Sequence, residues 1–269
     1  MQYTPQRIIC LTEETTETLY LLGEQDRIVG ISVFTVRPSQ ARKEKPRVSA
    51  FLDAKIEKIL DLKPDLVIGF SDIQANIAKE LIAQGITVWV NNYRSVEGIF
   101  KMIVQLGALV NQKEKALHLV EGFQAEITRI QAITSTWKVK PRVYFEEWFD
   151  PLITGIQWVS EIVELAGGID IFPEHKNAYL AKDRILQNPQ TVVKRDPDII
   201  LASWCGKAFR KEKLMDRDAW TSIKAVRNDE VHEIKSEIIL QPGPAALMDG
   251  LPMIHEIFRK WVERRMSSS

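Results

Sequence analysis

Cysteine is nearly absent from this sequence: Cys10 and Cys205 are the only two in 269 residues. That excludes a disulfide framework, and neither thiol has a second Cys or a His at metal-ligand spacing. Both are expected as reduced thiols. Histidine is almost as scarce, and His118, His175, His232 and His255 are scattered, so no metal ligands are assigned. Charge of one sign is missing as well: Lys+Arg and Asp+Glu both number 36. A neutral chain without a basic stripe argues against a nucleic-acid partner. No run approaches the roughly 18–20 apolar residues of a membrane span, so no membrane insertion is expected. The motifs of phosphate-binding loops, dinucleotide folds, serine hydrolases and zinc proteases do not occur, and no catalytic residue is assigned. Residues 1–7 have neither an apolar h-region nor a cleavage site. The protein is therefore expected in the periplasm if a leader has been removed ahead of Met1, and in the cytoplasm if Met1 is the native start.

What is present is an internal repeat. Leu62-Lys63-Pro64-Asp65 followed by Leu66-Val67-Ile68-Gly69-Phe70 returns as Arg195-Asp196-Pro197-Asp198 followed by Ile199-Ile200-Leu201-Ala202-Ser203-Trp204. In both copies a helix stops before Pro, and an unbroken apolar run ends on an aromatic. Such a run reads as a strand buried on both faces, hence a parallel sheet flanked by helices. The repeat extends upstream to strands at Arg7–Leu11 and Arg142–Phe145, each followed by a helix closed by glycine (Gly23; Gly167-Gly168). Downstream, Ile86–Val90 corresponds to Val231–Ile234.

Between the halves, Ala116, Val120, Phe123, Ile127 and Ile130 mark one apolar face of a long helix over Gln112–Trp137, with Asn111 as its N-cap and Lys140-Pro141 as its stop. The fold class is α/β: two Rossmann-like lobes with short parallel sheets, joined by one long backbone helix, with a ligand cleft between the lobes. The boundaries are 1–110 for the first lobe, 111–138 for the linking helix and 139–269 for the second lobe.

Ligands of open α/β sheets bind beyond the carboxyl ends of the strands. Aromatics occupy five of the seven loops expected there, through Phe34, Phe51, Phe70, Trp148 and Trp204, although aromatics make up 8% of the chain. Flat apolar side chains suit a bulky ligand, and capping of the lobe cores is the competing role. Glu13-Glu14 and Glu146-Glu147 hold matching positions in the two halves. They suit a cationic or hydrogen-bond-donating ligand, or the favourable charge at a helix start. Glu146 and Glu147 lie in an expected loop, about ten residues ahead of the next helix. Cys205, beside Gly206 and Lys207, could be a reactive thiol.

Thr16-Glu17-Thr18 through Leu22-Gly23, Val29-Gly30-Ile31-Ser32, Val48-Ser49, Ile56-Glu57-Lys58-Ile59 and Leu62–Ile68 occur in an order that resembles the bacterial vitamin B12-binding proteins of ABC importers. Gly167-Gly168-Ile169-Asp170-Ile171-Phe172 and Asp196-Pro197-Asp198-Ile199-Ile200 continue the likeness. The wider group is the iron-siderophore and haem-binding (helical-backbone, class III) solute-binding proteins. Where the family has Ser-Pro after the first strand, this sequence has Thr12-Glu13-Glu14.

The resemblance implies a non-catalytic periplasmic-type binder that takes cobalamin or another corrinoid as its ligand. It has no intrinsic cofactor, an ABC importer permease as a partner, and a monomeric state. Haem or an iron-siderophore is the alternative ligand. A tetrapyrrole- or metal-modifying enzyme using Cys205 or the glutamates is the alternative of another class. The expected ligand-binding residues are Glu13, Phe34, Phe51, Phe70, Glu147, Trp148, Ser203, Trp204, Cys205 and Glu237.

Overall fold

The computed structural model describes residues 3–267, in two compact units. Unit 1 comprises residues up to Tyr93, Glu97–Gly122 and Pro242–Pro244; unit 2 comprises Arg94–Val96, Phe123–Gln241 and Ala245 onward.

In unit 1 the chain alternates strand and helix: β1 (Ile8–Cys10), α1 (Glu13–Leu21), β2 (Ile28–Ser32), α2 (Ser39–Glu44), β3 (Arg47–Ser49), α3 (Ile56–Asp61), β4 (Leu66–Phe70), α4 (Ala75–Ala83) and β5 (Val88–Asn91). Helix α5 (Val96–Leu109) follows. The five strands are all parallel, in the order β3-β2-β1-β4-β5. Buried Ile9, Leu11, Val67, Ile77 and Leu81 form a core between sheet and helices, as unbroken apolar strands require.

Helix α6 (Lys113–Thr134) has 22 residues, about 33 Å of rod, and its residues are divided between the units at Gly122 and Phe123. It is shorter than the expected Gln112–Trp137. At its end the amides of Thr136 and Trp137 reach back only three residues, to Ile133 and Thr134, so the last turn tightens and stops. Asn111 is not its N-cap. Its φ of 61° places it in the left-handed region, where it closes α5, a role Asn tolerates.

Unit 2 contains β6 (Arg142–Phe149), β7 (Leu152–Thr154), α7 (Gln157–Leu165), β8 (Ile169–Asp170), α8 (Gln190–Arg195), β9 (Ile199–Ala202), α9 (Lys211–Met215), α10 (Lys224–Arg227), β10 (Val231–Glu233), α11 (Ser236–Ile239) and α12 (Leu251–Ser267). Its sheet runs β10-β9-β6-β7, with β8 also on β6. It is mixed: β9 and β8 run parallel to β6, whereas β7 returns antiparallel. The segment Glu146–Phe149, expected as a loop, is therefore strand. It is extended because β7 folds back after Asp150-Pro151 and pairs Trp148 with Ile153 and Phe149 with Leu152. The register shifts at Glu147, the kind of irregularity that re-aims side chains at a sheet end.

The Pro-Asp repeat has one physical cause in both units. Lys63 and Asp196, the residues before the prolines, have φ of 46° and 44°, and end their helices in the left-handed conformation. The Asp after each Pro then anchors the first strand: Asp65 accepts from the backbone N–H of Arg7 at 2.9 Å, and Asp198 from that of Arg142 at 3.0 Å. The two arginines complete the tie. Arg7 donates to the Leu62 carbonyl at 2.6 Å and Arg142 to the Arg195 carbonyl at 2.9 Å, satisfying helix-end oxygens. No helix among the described residues is long and apolar enough to cross a membrane.

Candidate functional site

At the carboxyl end of the unit 1 sheet, the loops after three strands are tied by one side chain. Gln74 is buried; its amide donates to the carbonyls of Leu11 and Phe51, each at 3.2 Å, and accepts from the Phe70 amide at 2.9 Å. Gly69 makes room for it, since a Cβ there would lie 2.9 Å from Gln74 Oε1. The aromatics sort by exposure. Phe34 is 47% exposed, Phe51 is half-buried and Phe70 is buried. Phe34 and Phe51 thus present ring surface, while Phe70 caps the core.

Beside them, α1 begins with Glu13 and Glu14, both buried. Glu14 accepts a 2.6 Å hydrogen bond from the Thr12 hydroxyl, and its Oε2 has no partner. Burial pushes its carboxyl up to about 7, outweighing the opposing effect of the Thr12 bond; the nearby Glu17 carboxylate adds to the rise. Cys10 is buried under the same helix. Desolvation pushes its thiol up to about 12, which makes it chemically inert in the fold.

At the carboxyl end of the unit 2 sheet the organising group is a charge. Glu146, with 0% exposure, takes two hydrogen bonds from Arg217, at 2.6 and 3.0 Å, and one from the Trp204 indole at 2.9 Å. Arg217 also donates to the Phe149 carbonyl at 3.2 Å and lies over Trp220, 4.4 Å from its ring. A bidentate pair with every carboxylate oxygen engaged is the form in which a buried charge is tolerable. Glu147 is likewise held: Arg184 grips it at 2.6 and 3.1 Å, and the Ile156 amide donates at 3.1 Å.

On this frame stands an aromatic cluster. Trp148 and Phe149 rings are 5.4 Å apart, Phe149 and Trp204 4.6 Å, and Trp204 and Phe209 5.0 Å. Lys207 lies 4.9 Å from the Trp148 ring centre and 5.0 Å from that of Phe149; Lys213 lies 5.2 Å from Phe149. Trp204 is buried and backs Phe149, while Trp148 and Phe149 are partly exposed. Ser203 is buried, Cys205 is exposed, and Glu237 is half-buried on α11.

The structure therefore brings Trp148, Ser203, Trp204 and Cys205 to one end of one sheet, and Glu13, Phe34, Phe51 and Phe70 to one end of the other. Sequence reasoning passed over Gln74, Phe149, Phe209, Arg184 and Arg217. Phe149 carried a signal, as neighbour of Trp148 in a run of strand-forming residues ahead of Asp-Pro. Arg217 carried none, because 71 residues separate it from Glu146.

The sequence profile of the family described as Periplasmic binding protein matches residues 8–238. The chain belongs to the periplasmic binding protein family. Family membership makes it a solute-binding protein of the ABC-importer type, not an enzyme, and the alternative of a tetrapyrrole-modifying enzyme falls. Members of the family work with small-molecule ligands and permease partners, and are periplasmic proteins or lipoproteins.

The chain is similar to an ABC transporter substrate-binding lipoprotein, YvrC, of Bacillus subtilis strain 168. The two are 29% identical over 94% of this chain and 79% of the relative. It is also similar to a vitamin B12-binding protein of Vibrio parahaemolyticus, at 28% identity over 90% of this chain and 86% of the relative. In fold it is similar to the periplasmic haem-binding protein RhuT of Roseiflexus sp. RS-1. The TM-score is 0.81 and the identity 19%, over 96% of this chain and 99% of that one.

Proposed function

We propose that this periplasmic binding protein captures a bulky, largely planar tetrapyrrole-like ligand, cobalamin or another corrinoid, for delivery to an ABC importer permease. The observation that carries this reading is the partly exposed Trp148–Phe149 pair, backed by buried Trp204 and fixed by the Glu146–Arg217 pair. A rigid aromatic surface offers broad contact to a macrocycle at low entropic cost. The vitamin B12-binding name of the Vibrio relative supports the corrinoid choice. In this reading residues 1–110 and 139–269 both contribute loops, and 111–138 link them. Trp148, Phe149, Phe34 and Phe51 contact the ring, and Cys205 and Glu237 face its periphery. Trp204, Phe70, Ser203, Glu13 and Glu147 support these contacts from beneath.

Haem or a ferric siderophore is the second reading. Lys207 and Lys213, set over Phe149, suit the carboxylates of such ligands. The acidity of the second-unit loop does not oppose it, because Arg217 and Arg184 neutralise Glu146 and Glu147. The test is a tryptophan-quenching titration with cyanocobalamin, haemin and a ferric siderophore. Cyanocobalamin is expected to bind below about 10 μM, roughly −7 kcal/mol. Binding of haemin or the siderophore alone would transfer the assignment to that ligand, and binding of none would sink the tetrapyrrole reading.

A further inference from the structure

Four strands end the two strand orders, β3 and β5 in unit 1 and β10 and β7 in unit 2. Three of them are protected. Outside β3 the chain folds back: the Lys55 amide donates to the Val48 carbonyl at 3.0 Å, and Ala54 bridges to Ser49. Outside β7 the Leu186 amide donates to the Leu152 carbonyl at 2.9 Å, and Ile185 bridges to Ile153. Strand β10 is guarded by charge, with Glu233 held by Lys235 at 2.6 Å and His232 beside Glu230 at 2.9 Å. Covering segments and charges of this kind keep a strand edge from pairing with another chain. Strand β5, Val88-Trp89-Val90-Asn91, has neither charge nor proline nor a covering segment among the described residues.

The carbonyls of Thr87 and Asn91 accept from the Val67 amide at 2.9 Å and the Ser71 amide at 2.6 Å, so alternate residues of β5 are spent on β4. The main-chain groups of Val88, Val90 and Asn92 point the other way, and they have no hydrogen-bond partner among the described residues. Alongside this edge runs a groove of about 560 Å³. One wall is β5: Val88 packs with Ile77 and Leu81 of α4, so Val90, two residues on, faces the same side. The other wall is α4, through Ala75, Ala78, Lys79 and Ile82, which share one face of the helix. The two alanines leave depth between the walls, while Ile82 is 61% and Val90 37% exposed. Lys79 makes no ion pair among the described residues, whereas Asp72, the groove's carboxylate, has an interaction of its own.

We propose that β5 and α4 form a docking groove for an extended segment of a partner protein, which adds to the unit 1 sheet as a sixth strand. The segment's main chain takes up the outward groups of Val88, Val90 and Asn92. Its alternate side chains are apolar and lie over Ala75 and Ala78, between Ile82 and Val90, and an acidic side chain meets Lys79. Main-chain bonds supply affinity in such an addition, and pockets for alternate side chains supply selectivity. Charge decides between the occupants. A second copy, paired edge to edge about a twofold axis, brings the same lone cation, with no uncommitted carboxylate in its groove to meet it. An acidic partner segment supplies the missing charge.

The test uses the full chain and a short fluorescein-labelled peptide that alternates valine with threonine and carries one aspartate, followed by fluorescence polarisation. Two counterparts accompany it, one with lysine for the aspartate and one N-methylated at alternate main-chain amides. The aspartate peptide is expected to bind, the lysine peptide more weakly, and the methylated one not at all. Ile82→Gln and Lys79→Glu, both at exposed positions, are expected to keep the thermal midpoint. Ile82→Gln should weaken the aspartate peptide about fivefold or more, and Lys79→Glu should reverse the preference between aspartate and lysine. No saturable binding of the aspartate peptide below about 1 mM would overturn the proposal. Equal binding of the methylated peptide would overturn strand addition, and an unchanged preference in Lys79→Glu would overturn the charge assignment. Concentration-dependent dimerisation in sedimentation, lost in Ile82→Gln and without peptide binding, would make the groove an interface between copies instead.

Discussion

The loops at the carboxyl ends of the two sheets solve the same problem by different chemistry. In unit 1 a neutral amide, Gln74, ties the turns after β1, β3 and β4. In unit 2 a buried ion pair, Glu146–Arg217, holds the end of β6 and the turn after β9. The first arrangement leaves its aromatics apart; the second welds Trp148, Phe149, Trp204 and Phe209 into a stack. The cause is topological. A uniformly parallel sheet sends each chain away from the sheet end into a helix, whereas the β6–β7 hairpin returns at once and keeps its aromatics together.

Breaking the two ties should separate them most clearly. Arg217→Ala leaves Glu146 charged and buried without its partner, and a loss of about 3–5 kcal/mol is expected. Gln74→Ala leaves two carbonyls and one amide of unit 1 without their neutral partner, at about 1–3 kcal/mol. Urea unfolding followed by tryptophan fluorescence measures both. An Arg217→Ala loss no larger than that of Gln74→Ala would mean that the ion pair is solvated in solution and does not organise the second set of loops.

The next contrast is pH. Unit 2 has paired its buried loop carboxylates with arginines, but Glu14 in unit 1 has only the Thr12 hydroxyl. Its carboxyl is raised from an ordinary 4.5 to about 7. The folded state then binds the proton more tightly than the unfolded chain. Its contribution to stability is full below about pH 4.5 and is lost as the pH rises through about 7. At about 1.4 kcal/mol per pH unit, a rise from 4.5 to about 7 bounds the loss at about 3.5 kcal/mol. Glu14→Gln should therefore stabilise the protein by about 2–3 kcal/mol at pH 8 and by almost nothing near pH 4.5. A gain independent of pH would show that Glu14 is ionised at no unusual cost.

How much of this was legible in the sequence follows from the range of the interactions. The Pro-Asp repeat was readable because its logic is local: a helix stop, a proline and an apolar run. Even so, the left-handed Lys63 and Asp196, and their ties to Arg7 and Arg142, needed the fold. The existence of α6 was readable from its apolar spacing, but its ends were not: Asn suits both a helix start and the end of the helix before it, and the tightening after Thr134 leaves no mark in the apolar pattern. The aromatics were found by type and position. Which of them show their faces was not, because burial of Phe70 and Trp204 depends on Gln74 and Glu146, which reach across 63 and 58 residues. Glu146 and Glu147 looked like ligand groups for the same reason: their arginines lie far away in the chain.

The smallest contrast concerns the rings themselves. Phe34 is the most exposed of the candidate rings of unit 1 and makes no ring–ring contact among the described residues. Its side chain must lose rotamer freedom when a ligand lands on it, and that entropic cost offsets part of the attraction between ring and ligand. Trp148 is already held by Phe149, by Lys207 at 4.9 Å, and by a 2.8 Å bond from its indole to the Asp150 carbonyl. Less is left to order there, so more of its attraction appears as affinity. Trp148→Ala should weaken binding by about 1–3 kcal/mol, as for a buried aromatic anchor. Phe34→Ala should cost less, about 0.5–1 kcal/mol, measured with the same quenching titration. If Phe34→Ala proves the more damaging, the unsupported ring is the anchor, and the exposed face of unit 1, not the braced stack of unit 2, selects the ligand.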